Sequence, residues 1–447
     1  MRAAAATLWL ASAVAAQPAT TRFVEPGGPA TLRAALDASA PGDTIVVRGG
    51  VHAGGLVVDR PVKLVGEGWP RLEGGYRGDV VVVRADDVEV RGFEVAQSGR
   101  DMMVSDAGIK VRGRRARIAG NRIVDNLFGV YLRGAGGTVV EDNVIRGRAE
   151  DPLGLRGAGI HLYDSRESLI RGNRVNDVRD GVYFDHSDDN RVEGNEFFDL
   201  RYGIHYMFCK ANTFTGNLFR DSMGGAAVMY TDHVVFRDNR IVNNRKGPNA
   251  FGLLFKDCLD SVAERNAIVN NTRGIFVDNS HRNVVRENLV AWNDVGVTLY
   301  ASALENRFAR NDFIGNLTML LTVGRADADW SPGGEGNYYS DYAGYDLDGD
   351  GDGDVEHRLQ DAFECLVGNR PLLRLFLNSA AADALAAAER SFPIVPTSDE
   401  RDRAPFLHPV SGITVDAGAG RRGSPAAAVV SALALGLLGW IFARGRA

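Results

Sequence analysis

Residues Gly172–Asp221 read GNRVNDVRDGVYFDHSDDNRVEGNEFFDLRYGIHYMFCKANTFTGNLFRD. Asn173, Asn195 and Asn217 stand 22 residues apart, and Gly181 and Gly203 each follow an Asn by eight. The ladder extends both ways as Asn121, Asn143, Asn173, Asn195, Asn217, Asn239, Asn266, Asn288 and Asn311, spaced 22, 30, 22, 22, 22, 27, 22 and 23. Gly129, Gly181, Gly203, Gly225, Gly274 and Gly296 keep the same offset, and Gly159 and Gly252 join them once insertions of eight and five residues are removed. After each Gly, apolar residues alternate with others, as in Val130/Leu132, Ile160/Leu162, Val182/Phe184, Ile204/Tyr206, Leu253/Phe255, Ile275/Val277 and Val297/Leu299. A period of two means strand, with this set facing inward. A 22-residue unit is too small to bury its own apolar face, so it must stack on its neighbours. The reading is an all-β chain: a right-handed parallel β-helix, the pectin-lyase-like solenoid, with coils ~4.8 Å apart and the repeated Asn hydrogen-bonded from coil to coil.

An open solenoid end is an exposed strand edge and needs a cap. Thr31–Ser39 (TLRAALDAS) predicts a short N-terminal capping helix, and Pro371–Arg390 is helical in pattern and suits the other end. Arg2 followed by the apolar run Ala3–Ala16 reads as a secretory signal peptide over 1–16. Ala426–Ala443 is an uncharged run of 18 residues between Arg421/Arg422 and Arg444/Arg446, the length of a minimal transmembrane helix. The expected organisation is therefore a leader (1–16), the β-helix (21–330), an Asp-rich loop with a helical C-terminal region (331–410), a linker (411–425) and a membrane tail (426–443).

Lys+Arg 51 against Asp+Glu 57 gives a net charge of −6, which argues against a nucleic-acid binder with its basic face. Apolar content of 45% and charged content of 24% are those of a folded globular chain. Gly is abundant, 53 of 447 residues, and implies many tight turns; three Cys are too few for a disulfide framework.

Fixed register turns sequence columns into spatial stripes. Two residues after each Gly, facing outward, stand Tyr131, His161, Tyr183, His205, Ala227, Leu254, Phe276 and Thr298. Four after it stand Arg133, Tyr163, Asp185, Met207, Met229, Lys256, Asp278 and Tyr300. Thioether and imidazole groups brought together suit a soft ion of low coordination number such as Cu(I), so His161, His186, His205, Met207 and Met229 form the candidate copper set. Met is also adaptable contact material, so the alternative is a partly covered apolar patch against a partner or a loop, and the two roles are compatible. Insertions at 147–156 and 245–250 bracket these coils, and a loop at 98–106 carries Met102 and Met103 at the matching edge. Met102, Met103, Tyr131, Tyr163 and Tyr183 are the candidate partner-binding residues, because a repeat protein binds through decorated turns.

Cys209 and Cys258 fall in a column of small residues two coils apart, beyond disulfide reach. Asp346, Asp348, Asp350, Asp352 and Asp354 alternate with small residues like the first half of an EF-hand loop and are the candidate calcium ligands. The twelfth position from Asp346 is His357, not Glu, and a plain acidic turn is the alternative.

The Asn/Gly coils followed by GNYYSDYAGYDLDGDGDGDVEH (Gly336–His357) resemble the NosD family, periplasmic β-helical proteins of nitrous oxide reductase maturation, over about residues 21–410. The resemblance implies no enzymatic activity of its own. It implies work beside an ABC transporter whose permease and ATPase subunits are separate chains. With a copper-chaperone lipoprotein, such proteins deliver copper to the reductase. The C-terminal helix would tether this version to the inner membrane from the periplasm. The rival reading is a secreted polysaccharide hydrolase or lyase on the same scaffold. Hydrolysis needs two carboxylates about 5–10 Å apart, and Asp185 with Asp188 or Asp189 is the compact candidate.

Overall fold

The structure is a computed structural model that describes residues 19–26, 31–300, 302–324, 326–360, 384 and 400–414. The leader, the Cys365 region, nearly all of the 371–390 stretch and the 426–443 tail lie outside the described residues. Among the described residues no helix is long and apolar enough to cross a membrane. The chain divides into two units, Met1–Asn195 and Glu196–Ala447.

In the first unit every strand of the repeat pairs in parallel with its counterpart one coil on, building three sheets. One of them runs Leu56–Val58, Val81–Val83, Ala107–Val111, Phe128–Arg133, Ala158–Tyr163 and Asp180–Asp185. Its inward columns are Val81–Ile109–Val130–Ile160–Val182 and Val83–Val111–Leu132–Leu162–Phe184, all 0% exposed. The winding is right-handed, the hand that strand twist favours for a parallel crossover. The predicted cap is present as a helix over Leu32–Asp37, its first turn closed by Thr31 Oγ1 accepting from the Ala34 amide at 3.2 Å.

The second unit repeats the plan. Its corresponding sheet holds Tyr202–Met207, Gly224–Asp232, Phe251–Leu259, Arg273–Asp278, Val295–Tyr300 and Thr318–Val323. Stacked rings fill the core, Phe214 on Phe236 at 4.4 Å and Phe308 on Trp330 at 4.2 Å. Coil strands continue to Tyr338–Tyr339, which pairs with Asp312–Phe313, so the solenoid runs past residue 330.

The repeated Asn does what its period implied. Asn121, Asn143, Asn173 and Asn195 form a buried ladder in the first unit, the oxygens of the last three each accepting from the backbone and side-chain N–H groups of the previous rung and that of Asn121 from the Phe93 amide. In the second unit the run Asn217–Asn239–Asn266–Asn288–Asn311–Asn337 ends on Asp402. A carboxylate is a fitting last rung, since it accepts and leaves no donor unpaired. Many glycines do sit in turns with positive φ, among them Gly120, Gly172, Gly194 and Gly216, but the Gly of the ladder's eight-residue offset does not. A Cβ on Gly225 would lie 2.5 Å from the Gly252 carbonyl oxygen and 2.6 Å from Ile241, so it is needed for close approach of sheets rather than for backbone freedom. The predicted linker is also partly wrong. Val410 and Ser411 donate to the buried Asp312 carboxylate, and Ile413 packs on Ala267, Val269, Leu289 and Ala291, so 411–414 is pinned to the coils.

Candidate functional site

In the first unit the outward column of the described sheet is Val82–Lys110–Tyr131–His161–Tyr183. Three of these form a continuous run of ring contacts, with His161 tilted against the Tyr131 ring at 4.5 Å and edge-on to the Tyr183 ring at 4.7 Å. Phe128 stands edge-on to Tyr131 at 5.6 Å. Tyr131 and His161 are each only 8% exposed, so this part of the outward column is a covered patch and not an open metal face. Burial pushes the Tyr131 hydroxyl above its ordinary pKa. Met102 packs against this cluster.

The loop carrying Met102 is held by buried cations. Arg148 donates to the carbonyls of Ser98 (2.6 Å) and Gly99 (3.3 Å) and to the Asp125 carboxylate (2.9 Å). Lys110, paired with Asp79 at 2.7 Å, donates to the Val104 carbonyl at 3.0 Å. Met103 at the loop tip is 91% exposed, and Tyr163 is 40% exposed under the Arg133 guanidinium. Of the candidate contact residues, Met103, Tyr163 and the half-buried Tyr183 are accessible; Tyr131 is not. His186 sits on a turn with its Nδ1 2.5 Å from the Asp185 carboxylate. Asp188 is paired with Arg166 at 3.2 Å. Asp185 and Asp188, offered as a catalytic pair, are thus both engaged in ion pairs or hydrogen bonds.

In the second unit the register sets Met207 directly beside Met229 on adjacent strands, both half-buried on the outward face. His205 shares the Met207 strand, but its Nδ1 accepts from Arg201 at 3.0 Å. That bond assigns the ring proton to Nε2, so neither nitrogen offers a lone pair, and a cation already lies against the ring. Next along the column, Ala227 and Leu254 are buried in a cluster with Phe251, against which Met229, Tyr202 and Phe276 pack. Lys256 follows Met229 and is bound to Asp278 at 2.7 Å, the carboxylate raising the ammonium above its ordinary range.

A feature missed from sequence adjoins the methionines. Phe208 and Tyr230, the residues after them, occupy left-handed backbone with φ of 55° and 54°. Their rings stack at 5.2 Å and 16° while remaining 50% and 42% exposed. Other coils fill the same turn position with Gly134, Asp164, Asp257 and Asn279, residue types that tolerate it. An aromatic there costs about 1 kcal/mol in backbone strain. The 22-residue offset of a Phe and a Tyr in a column that otherwise holds Gly134, Asp164, His186, Asp257 and Asn279 was the available signal.

Cys209 and Cys258 are buried free thiols, as the column predicts. Cys209 donates to the Met207 carbonyl and Cys258 to that of Val228, and burial drives the Cys258 pKa upward.

Of the five aspartates in the acidic loop, Asp346, Asp348 and Asp354 bring carboxylate oxygens within 4.8 Å of one another; Asp350 and Asp352 do not join them. Asp346 is held below its usual range by the Gly349 and Gly351 amides. Asp348 is pulled down by the Asp350 amide but pushed up further by the Asp350 and Asp354 carboxylates. Burial, then the Asp350 and Asp346 charges, raise Asp352.

Fold and site together define a right-handed parallel β-helix with soft-donor and aromatic chemistry on its outward face. A family model described as a right-handed β-helix region matches residues 72–177, and one described as periplasmic copper-binding protein (NosD) matches 141–344. Two curated relatives bear the name probable ABC transporter binding protein NosD. That of Pseudomonas aeruginosa is 40% identical over 80% of this chain and 86% of its own length. That of Stutzerimonas stutzeri is 34% identical over 80% and 85%. The chain belongs to the NosD family. Among solved structures, the Agl-KA catalytic domain is similar with a TM-score of 0.51 at 14% identity, covering 70% of this chain and 69% of that one. That likeness shows the fold alone.

Proposed function

We propose that this protein is a non-enzymatic periplasmic subunit that handles Cu(I) for an ABC transporter during maturation of nitrous oxide reductase. The observation that carries the reading is the in-register pair Met207 and Met229, half-buried on the outward sheet face. Two adjacent thioethers are neutral, polarisable donors suited to Cu(I) and poorly suited to hard ions. The family description as periplasmic and copper-binding, and the relatives' naming as transporter binding proteins, support the same reading. Within the proposed copper set, the methionines are the ligands. His205 orders Arg201, and His161 and His186 serve the ring contacts and the Asp185 turn of the other unit.

Met103, Tyr163 and Tyr183 are the contact residues toward permease, chaperone lipoprotein or reductase, and residues 426–443 tether the chain to the inner membrane. The Asp346/Asp348/Asp354 cluster takes Ca²⁺ as a structural ion, which relieves the mutual repulsion that raises Asp348.

The test is an anaerobic Cu(I) competition titration of the full chain and of Met207→Ala/Met229→Ala. Stoichiometric binding lost in the double variant supports the reading; equal affinity in both proteins removes it. In the host, deletion of the gene is expected to leave the reductase without its copper.

A further inference from the structure

We propose that Phe208 and Tyr230 are part of the same site: a ring wall beside Met207 and Met229 that makes it selective for a soft monovalent cation, Cu(I) or Ag(I), over hydrated divalent ions. The inference rests on the methionine reading and deepens it.

Four observations carry it. Both rings are held in left-handed backbone, at a position that Asp257 and Asn279 fill without difficulty in neighbouring coils. Trp69, Tyr76 and Trp292 hold the same backbone region singly, so it is the pairing of two rings at one position of successive coils, and not the strain alone, that points to a use for them. Both rings are also substantially exposed and stacked on one another, 50% and 42% at 5.2 Å, so they do not fill a core. Each directly follows one of the two methionines in sequence, and the strand pairing sets Met207 against Met229. Finally, the charged groups around them are engaged: Asp232 with Lys210 at 2.9 Å and His233 at 3.0 Å, Asp278 with Lys256 at 2.7 Å, and His205 with Arg201 at 3.0 Å. A hydrated divalent ion wants carboxylate ligands, and at Asp232 or Asp278 it would have to break an existing pair to get one. A monovalent soft ion needs only the thioethers and gains attraction from the electron-rich ring faces.

The experiment titrates the full chain anaerobically with Ag(I), Cu(I) and Zn(II), in wild type, Phe208→Asn/Tyr230→Asn and Met207→Ala/Met229→Ala. Asn tolerates the left-handed turn, so the ring variant keeps its fold, checked by an unchanged melting temperature. Ag(I) is expected to perturb the tyrosine near-ultraviolet spectrum of wild type. The ring variant is expected to lose that signal, bind Ag(I) about tenfold more weakly and oxidise bound Cu(I) faster in air. Wild-type Ag(I) affinity and Cu(I) lifetime in the ring variant overturn the inference while the methionine reading stands. Undiminished Ag(I) binding by the methionine variant overturns both.

Discussion

Replacing Asn266 by Ala removes one rung from the interior of the second unit's ladder. The side chain is 0% exposed and makes four hydrogen bonds. Its oxygen accepts from the Asn239 amide and side chain, both at 3.0 Å, and its Nδ2 donates to the Phe236 carbonyl at 3.0 Å and to Asn288 at 2.9 Å. At about 1 kcal/mol net per bond, four bonds are worth about 4 kcal/mol, and a buried Asn239 amide left without its acceptor adds about 1 kcal/mol. A loss of about 5 kcal/mol is as large as the whole stability of a marginal domain. The control is Asn176→Ala, whose side chain is half-buried and donates to the adjacent Asp177; it is expected to cost under about 1 kcal/mol. Urea unfolding followed by circular dichroism gives the free energies. Because a solenoid couples coil to coil, hydrogen exchange should rise most around Asn239 and Asn288. A change within 1 kcal/mol of wild type, with protection at Asn239 retained, would refute the ladder as the element that holds coils in register.

Asp402 is buried, and burial raises its carboxyl to about 6 from 3.8. Folding therefore takes up a proton between those values, and the residue's contribution becomes less favourable as pH rises through that window, by roughly 3 kcal/mol. Urea midpoints of wild type minus Asp402→Asn, taken at pH 4 and pH 7.5, should show that loss; a pH-independent difference contradicts it. Arg148→Ala should free the 98–106 loop, seen as faster limited proteolysis near Met103 with the coils intact. Ca²⁺ should raise the melting temperature of wild type by a few degrees, and Asp346→Asn/Asp348→Asn should abolish the increase.

The coils were legible because Asn and Gly recur for separate physical reasons, one to satisfy buried turn amides and one to let backbones approach. The Thr31 cap was legible from local chemistry alone. The covered face was not. Tyr131 and His161 are hidden by packing around Phe128 and Met102, on a loop pinned by Arg148, some fifty residues along the chain from the carbonyls it binds. A column of outward residues allows for such a cover but does not say which of its members lie beneath it. His205 misled for a related reason: its imidazole was read as a free donor, whereas Arg201 donates to its Nδ1; Asp185, by contrast, accepts from His186 Nδ1 and orients that ring. Phe208 and Tyr230 were readable in principle, as rings in a column that otherwise holds turn formers.

X-ray absorption at the copper edge on Cu(I)-loaded full-length protein tests most directly whether the paired thioethers carry the ion. Two sulfur scatterers are expected in wild type, lost in Met207→Ala/Met229→Ala and retained in His205→Ala. A coordination sphere of nitrogen and oxygen alone, identical in wild type and the methionine variant, would contradict it.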